Sequence, residues 1–148
     1  MATYVKFEPF VQVLMNKEVD LFGTTDTLNV YLSNTGPTVA TNTVKADLAE
    51  ITNEHGYTAP VDTQNDSTRS GGTVTLTGVS LTITASGGTV GPFQYVVLYD
   101  DTPTSPNVDP LIAYWNYGSA LTLQDGESFS IKFNNAAVGV AGTIFTIA

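Results

Sequence analysis

The sequence predicts an all-β fold in which residues 1–148 form one antiparallel β-sandwich. Two dense apolar runs, at residues 93–99 and 111–117, are rich in Val, Ile, Tyr and Trp and are bounded by Gly, Pro and Asp, as strands commonly are. Elsewhere, short alternations of apolar and polar residues are separated by turn residues, the pattern typical of a sandwich. No linker, repeat or change of composition divides the chain, so we predict a single domain.

Both apolar runs are hydrophobic at odd and at even positions. Because side chains alternate across a strand, such runs need cover on both faces. A second sheet covers one face, and a loop, a helix or a neighbouring subunit has to cover the other. This surplus of apolar surface is the first indication of a protein that assembles.

The segment after the second run predicts a hairpin with a defined register. A two-residue Asp-Gly turn would put its leucines and phenylalanines on opposite faces, whereas a three-residue loop ending at Gly126 puts them on one face. The longer loop pairs Leu123 with Glu127. It also pairs Leu121 with Phe129. The alternative is that this segment steps from one sheet to another.

Residues 1–15 alternate and predict an edge strand or arm. Pro9 has no backbone N–H, so the strand lies at an edge or bends there. Such a strand either stays within its own domain or reaches a neighbour. We keep both interpretations open.

Three further segments complete the predicted order. Residues 43–52 are the one helical candidate, because Val44, Leu48 and Ile51 form an i, i+4, i+7 stripe. Residues 56–72 show no periodicity and predict a polar loop. The alternation changes phase at Gly78, which indicates either a bulge or a turn that splits this segment in two.

Composition and charge exclude several classes of partner. The formal net charge is −9 with five Lys and Arg, which argues against nucleic acid and against an anionic membrane surface. Without cysteine there are no disulfides or thiolate metal sites. Since no apolar span reaches about 20 residues, we expect a soluble product made in the cytoplasm.

Residues that could perform catalysis are few. His55 is the only histidine and sits in a polar turn, and no G-x-S-x-G motif accompanies it. Asp100 and Asp101 point to opposite faces of an extended chain, so they make a poor acid–base pair. We predict that the protein is not an enzyme and has no cofactor.

Three candidate ligand sites have simpler explanations. Asp100 and Asp101, together with Asp109, offer oxygen ligands to calcium, but turn formation is the favoured explanation of these residues. The set Asp62, Asn65 and Asp66 lacks the spacing of an EF-hand. Trp115 and the tyrosines suggest a platform for sugar stacking, although core packing accounts for most of them.

Four stretches resemble head decoration proteins, also called capsid cement proteins, of tailed bacteriophages. They are DLAEITNEHGYTA (47–59), GPFQYVVLYDDT (91–102), PLIAYWNYG (110–118) and LQDGESFSIKF (123–133). The resemblance implies a β-sandwich, often jelly-roll-like, that binds outside a shell of major capsid protein and stabilises capsomer boundaries. It implies a homo-oligomer, a dimer or trimer, on the outer surface of the virion, made in the host cytoplasm.

For that role we expect shell or subunit contacts in the N-terminal segment and in the 56–72 loop. The candidate contact residues are Tyr4, Phe7, Phe10, Tyr57 and Arg69. The alternative function is a phage tail or fibre β-sandwich module that binds glycans on the host surface. Exposed Trp115 and Tyr side chains lining a groove would favour that alternative.

Overall fold

The two apolar runs form the longest pair of strands in the structure, a computed structural model that describes residues 2–148. The elements are β1 (Thr3–Lys6), α1 (Phe10–Met15), β2 (Leu28–Ser33), β3 (Val61–Asp62), β4 (Asp66–Ser70), β5 (Thr73–Val79), β6 (Leu81–Thr84), β7 (Val90–Asp100), β8 (Leu111–Leu123), β9 (Ser128–Ile131) and β10 (Ala141–Ile147). Single turns of 3-10 helix occupy Lys45–Asp47 and Phe133–Asn135.

The predicted antiparallel β-sandwich is confirmed. One sheet has five strands in the order β1-β8-β7-β2-β3, a second has three in the order β10-β5-β4, and β6 pairs with β9. Every pairing is antiparallel. The strands are thus divided five, three and two, which differs from the two four-stranded sheets of a regular jelly roll.

The five-stranded sheet is covered on both faces by the chain itself. One face packs on the smaller sheets through side chains such as Val96 and Leu98. On the other face, Tyr31 and Val97 pack with Leu48, from the segment between β2 and β3. A loop of the same chain therefore covers this face, and no neighbouring subunit is needed to cover it. The apolar runs thus no longer indicate that the protein assembles.

The prediction of a helix at residues 43–52 is wrong, except that a single 3-10 turn occupies Lys45–Asp47. Here the backbone bonds to two neighbouring strands: Leu111 N–H donates to Thr43 O at 2.9 Å, and Ile51 N–H donates to Leu32 O at 3.0 Å. Leu48 is buried, and its carbonyl accepts the Tyr31 hydroxyl at 3.0 Å. These hydrogen bonds to β2 and β8 stabilise an extended chain. A three-residue apolar stripe is too weak to favour a helix instead, because a short helix needs strong tertiary support.

The strand predicted over residues 1–15 is shorter than expected. It ends at Lys6, and Pro9 precedes α1, a position where its missing N–H costs no helical bond. Phe10 and Val13, three positions apart, are the buried side chains of α1. The alternation at 11, 13 and 15 thus concealed an i, i+3 helical pair.

Residues 56–72 are not the polar loop that was expected. They contain β3 and β4, and β4 joins β5 through a two-residue turn at Gly71 and Gly72, with Ser70 opposite Thr73. In β4 only Ser67 is buried. A polar edge strand of this kind carries no hydrophobic alternation, which is why the sequence pattern missed it.

The predicted hairpin after the second run forms its turn but not its ladder. Glu127 N–H donates to Gln124 O at 2.9 Å, and Gly126 has a φ of 84°, as a three-residue loop requires. However, β8 stays paired with β7 as far as Leu123, and β9 pairs with β6. The alternative, a step between sheets, is the one observed.

The phase change near Gly78 also marks a step between sheets. The break falls at the buried Ser80, whose hydroxyl accepts Phe133 N–H at 3.0 Å. β5 then pairs with β10 and β6 with β9. The segment is split in two, and Gly78 itself lies opposite Gly142 in close contact with Phe133.

Candidate binding groove

The first strand leaves one backbone edge open. β1 is the outer strand of the five-stranded sheet, and its register places Val5 opposite Tyr114. Beyond β1, Phe7 N–H donates to Ile112 O at 3.0 Å, and in an antiparallel ladder the bonded residues alternate. The backbone N–H and C=O groups of Tyr4 and Lys6 therefore point away from β8.

A groove of about 600 Å³ opens next to this edge, between β1 and β8 on one side and β9, β10 and the second 3-10 turn on the other. Five aromatic side chains line it: Tyr4, Trp115, Tyr117, Phe129 and Phe133.

The aromatic side chains hold one another in place. Tyr4 meets Trp115 edge-on with ring centroids 5.6 Å apart, and Trp115 also contacts Phe133 at 5.6 Å. Tyr117 meets Phe129 at 5.9 Å. Tyr4 is 36% exposed and Tyr117 is 52% exposed, so the groove presents aromatic surface to solvent on a rigid support.

Polar groups border this aromatic surface. Ser130 and Lys132 lie on the β9 side, and Asn134 and Asn135 follow in the 3-10 turn with φ of 48° and 58°. Asparagine adopts this left-handed conformation more readily than most residues. Burial raises the pKa of the Tyr4 phenol to about 12, so that hydroxyl remains a neutral donor and acceptor near pH 7.

A second depression, of about 670 Å³, lies beside α1. It is lined mainly by polar side chains together with Val11 and Met15, and it has no aromatic residue. We prefer the groove beside β1 as the binding site, because aromatic anchors contribute most to recognition.

The five predicted contact residues fall into two groups. Tyr4 and Arg69 are exposed, and for them contact with a partner stays a prediction. Phe7, Phe10 and Tyr57 are buried and pack in the core, which removes them from any contact surface in this structure. Tyr57 hydroxyl accepts Leu32 N–H at 2.8 Å, which ties the 56–60 segment to β2.

The other side chains considered for chemistry have structural partners. His55 is in a surface turn, 3.8 Å from Glu54, and its carbonyl accepts Ser86 N–H at 2.8 Å. Asp101 accepts a bond from the Asn29 side chain at 2.9 Å, whereas Asp100 is buried on the opposite face. Within residues 2–148, no three His, Cys, Asp or Glu side chains are grouped as a metal site.

The second candidate calcium set serves the backbone. Asp62 accepts Gln64 N–H at 2.7 Å, and Asp66 accepts Ser67 N–H at 2.7 Å. Asn65 is buried; its side-chain oxygen accepts Leu28 N–H at 2.8 Å. These residues therefore cap turns around β3 and β4, as turn-forming Asp and Asn commonly do.

Sequence reasoning missed the polar border of the groove. Trp115 was singled out as a stacking residue, but nothing in the sequence indicated that Lys132 and the Asn134-Asn135 pair lie across from it. Two adjacent asparagines after a strand are a signal for positive φ and hence for a tight turn. Their position beside β1 depends on sheet packing, which a local pattern does not give.

Comparison of the chain with models of protein families, with curated proteins and with solved structures found no match. Over residues 2–148, no helix has the length and apolar character needed to cross a bilayer.

Proposed function

We propose that this chain is a structural virion protein, a head decoration protein that binds the outside of a phage shell made of major capsid protein. The observation that carries the proposal is the aromatic groove beside the open edge of β1. Aromatic side chains and free strand edges are features that proteins use to bind other proteins. The resemblance of residues 47–133 to decoration proteins supports the choice of partner.

The mechanism is the burial of the groove against a capsomer, repeated over the shell. Tyr117 and Tyr4 act as anchors, because their rings are held by Phe129 and Trp115 and little side-chain entropy is lost on binding. Repetition across symmetry-related sites adds avidity, so a modest single interface suffices. The role requires no bond-making chemistry.

Self-association is a second part of the proposal. β10, the outer strand of the three-stranded sheet, and the loop before it carry three exposed aliphatic side chains: Val138, Val140 and Ile147. We propose that the contacts of a dimer or trimer lie here, on side chains that do not line the groove. Sedimentation velocity tests this, and a monomer at high concentration would contradict it.

Removing the two exposed tyrosines should weaken binding to shells. For Tyr4→Ser with Tyr117→Ser we expect a loss of about 2 kcal/mol or more, roughly thirtyfold in affinity, because both anchors are removed. The measurement is co-sedimentation with purified tailed-phage heads. Deleting residues 1–10 is a poorer test, since it also removes the buried Phe7 and Phe10.

The matched control is Phe22→Ser. Phe22 is 59% exposed and does not line the groove, so this variant loses an aromatic ring of similar exposure. It should co-sediment like the wild type. Stoichiometric binding of the double variant, with its fold intact by circular dichroism, would refute the placement of the contact.

The groove also favours a second function, recognition of glycans on the host surface by a tail or fibre module. Trp115 and Tyr117 offer faces for sugar stacking, and Asn134 and Lys132 offer hydrogen bonds beside them. This is the arrangement that the alternative requires, because sugars are bound by aromatic rings flanked by polar groups.

The single tryptophan provides the test between the two functions. Trp115 is the only Trp in the chain, so its fluorescence reports on the groove alone. If the protein binds glycans, titration with a glycan that it recognises on an array should change the fluorescence emission of Trp115, and the change should saturate. The decoration function predicts no glycan hits and a change in emission when heads are added.

A further inference from the structure

Two carboxyl groups are buried at the end of the sandwich where β7 leaves the five-stranded sheet. Asp100, the last residue of β7, lies opposite Leu28 and has no exposed surface. Asp26, two positions before β2, is 7% exposed. Neither belongs to the groove beside β1.

The hydrogen bonds of this pair leave one oxygen without a donor. Asp100 Oδ1 accepts Thr102 N–H at 3.0 Å, and Asp26 Oδ2 accepts Asp20 N–H at 2.5 Å. Asp100 Oδ2 is buried and receives no hydrogen bond from a backbone N–H or any other donor while both carboxyls are ionised. A buried carboxylate oxygen in this situation is costly unless a proton or a cation satisfies it.

The charged groups around this end are acidic. Asp20 lies on the same loop as Asp26, and Asp101 and Asp109 lie in the segment that follows β7. Burial and then the Asp101 carboxylate raise the pKa of Asp109, and Lys45 offsets this only in part. Lys45 bonds to Glu50 at 3.0 Å and makes no ion pair with Asp26 or Asp100. A proton held between the two carboxyls would satisfy Asp100 Oδ2.

We propose that Asp26 and Asp100 share one proton, and that this shared proton forms a pH-sensitive contact between the 16–27 loop and the end of β7. The loop has further bonds here: Thr27 N–H donates to Thr102 Oγ1 at 2.8 Å, and Asp101 N–H donates to Thr27 O at 2.9 Å. Loss of the proton places two negative charges side by side within this network, and like charges this close repel.

The direction of the pH effect follows from the pKa. Burial, and then the hydrogen bond with Asp26, raise the pKa of Asp100 to about 8, well above the ordinary value of an aspartate. The folded state therefore holds a proton that the unfolded chain releases. Stability is greatest below the ordinary aspartate pKa, decreases as the pH rises towards 8, and levels off above it.

Replacing Asp100 with asparagine should remove this dependence. In the wild type we expect the unfolding equilibrium constant to rise by up to about tenfold per pH unit between pH 5 and 8, the slope of one proton. Asp100→Asn should lose that slope and be more resistant to urea than the wild type at pH 8. Glu8→Gln, at an exposed carboxylate, should keep the slope.

Direct observation of the carboxyls keeps the test independent of any variant. Carboxyl ¹³C NMR of the wild type should show the Asp100 carboxyl titrating near pH 8, with faster amide exchange at Asp20 and Thr102 above that pH. Titration of the Asp100 carboxyl below pH 5 would overturn the proposal. So would stabilisation by calcium chloride at pH 8 that Asp100→Asn abolishes, because the pair would then hold a cation.

Discussion

Replacing Gly142 with alanine should lower the free energy of unfolding by about 3 kcal/mol, the upper range for a side chain forced into packed structure. A Cβ at this position would overlap the carbonyl oxygen of Phe133 and lie 2.9 Å from the Cβ of Ala136. The obstacle is backbone, which cannot rotate away as a side chain does. Urea unfolding at equilibrium measures the loss.

Two other glycines provide a graded comparison. At Gly78 a Cβ would meet the side chains of Ile144 and Phe133 at 3.0 Å, so a smaller loss is expected because side chains can shift. At Gly72 a Cβ would meet nothing within 4 Å, and Gly72→Ala should stay within about 0.5 kcal/mol of the wild type. Equal losses for Gly142→Ala and Gly72→Ala would contradict the close approach of β10 to the second 3-10 turn.

The second large effect is expected at Leu48. Its side chain is 2% exposed and packs on Tyr31 and Tyr99, on the face of the five-stranded sheet that no other sheet covers. Leu48→Ala should cost about 3 kcal/mol, the transfer energy of the lost atoms plus that of the cavity left behind. Thermal or urea unfolding of the isolated protein gives the value.

Val108→Ala is the control for that measurement. Val108 is 55% exposed, and its truncation should change the free energy of unfolding by less than about 0.5 kcal/mol. A loss below about 1 kcal/mol for Leu48→Ala would mean that the segment between β2 and β3 does not cover this face. A neighbouring subunit would then be needed after all.

The apolar strands were predictable because their signal is local. The runs around Val97 and Ile112 identify strands whatever their partners are. The turn at Gly126 was predictable from local sequence as well. Placing the apolar side chains on one face required a three-residue loop, and such a loop ends in a residue with positive φ. Strand pairing was not predictable in this way, since β8 could continue with β7 or turn back onto β9 with the same residues inside.

The errors occurred where polar or long-range bonds decide the structure. In β4, Arg69 pairs with Val74 across a sheet edge exposed to solvent, and only the Gly71-Gly72 turn signalled a hairpin. The helical stripe at Leu48 failed because its neighbours bond to β2 and β8. The groove depends on how β1 and β8 pack across from β9 and β10, so Trp115 could be proposed as a candidate while its surroundings could not.

The most direct test of the binding surface is amide hydrogen exchange of the protein bound to purified phage heads, compared with the free protein. Binding through the groove predicts new protection at residues 3–6 of β1, at 115–117 of β8 and at 128–135 across from them, with residues 56–72 unchanged. Protection confined to other surfaces, such as residues 56–72, would contradict the proposed contact.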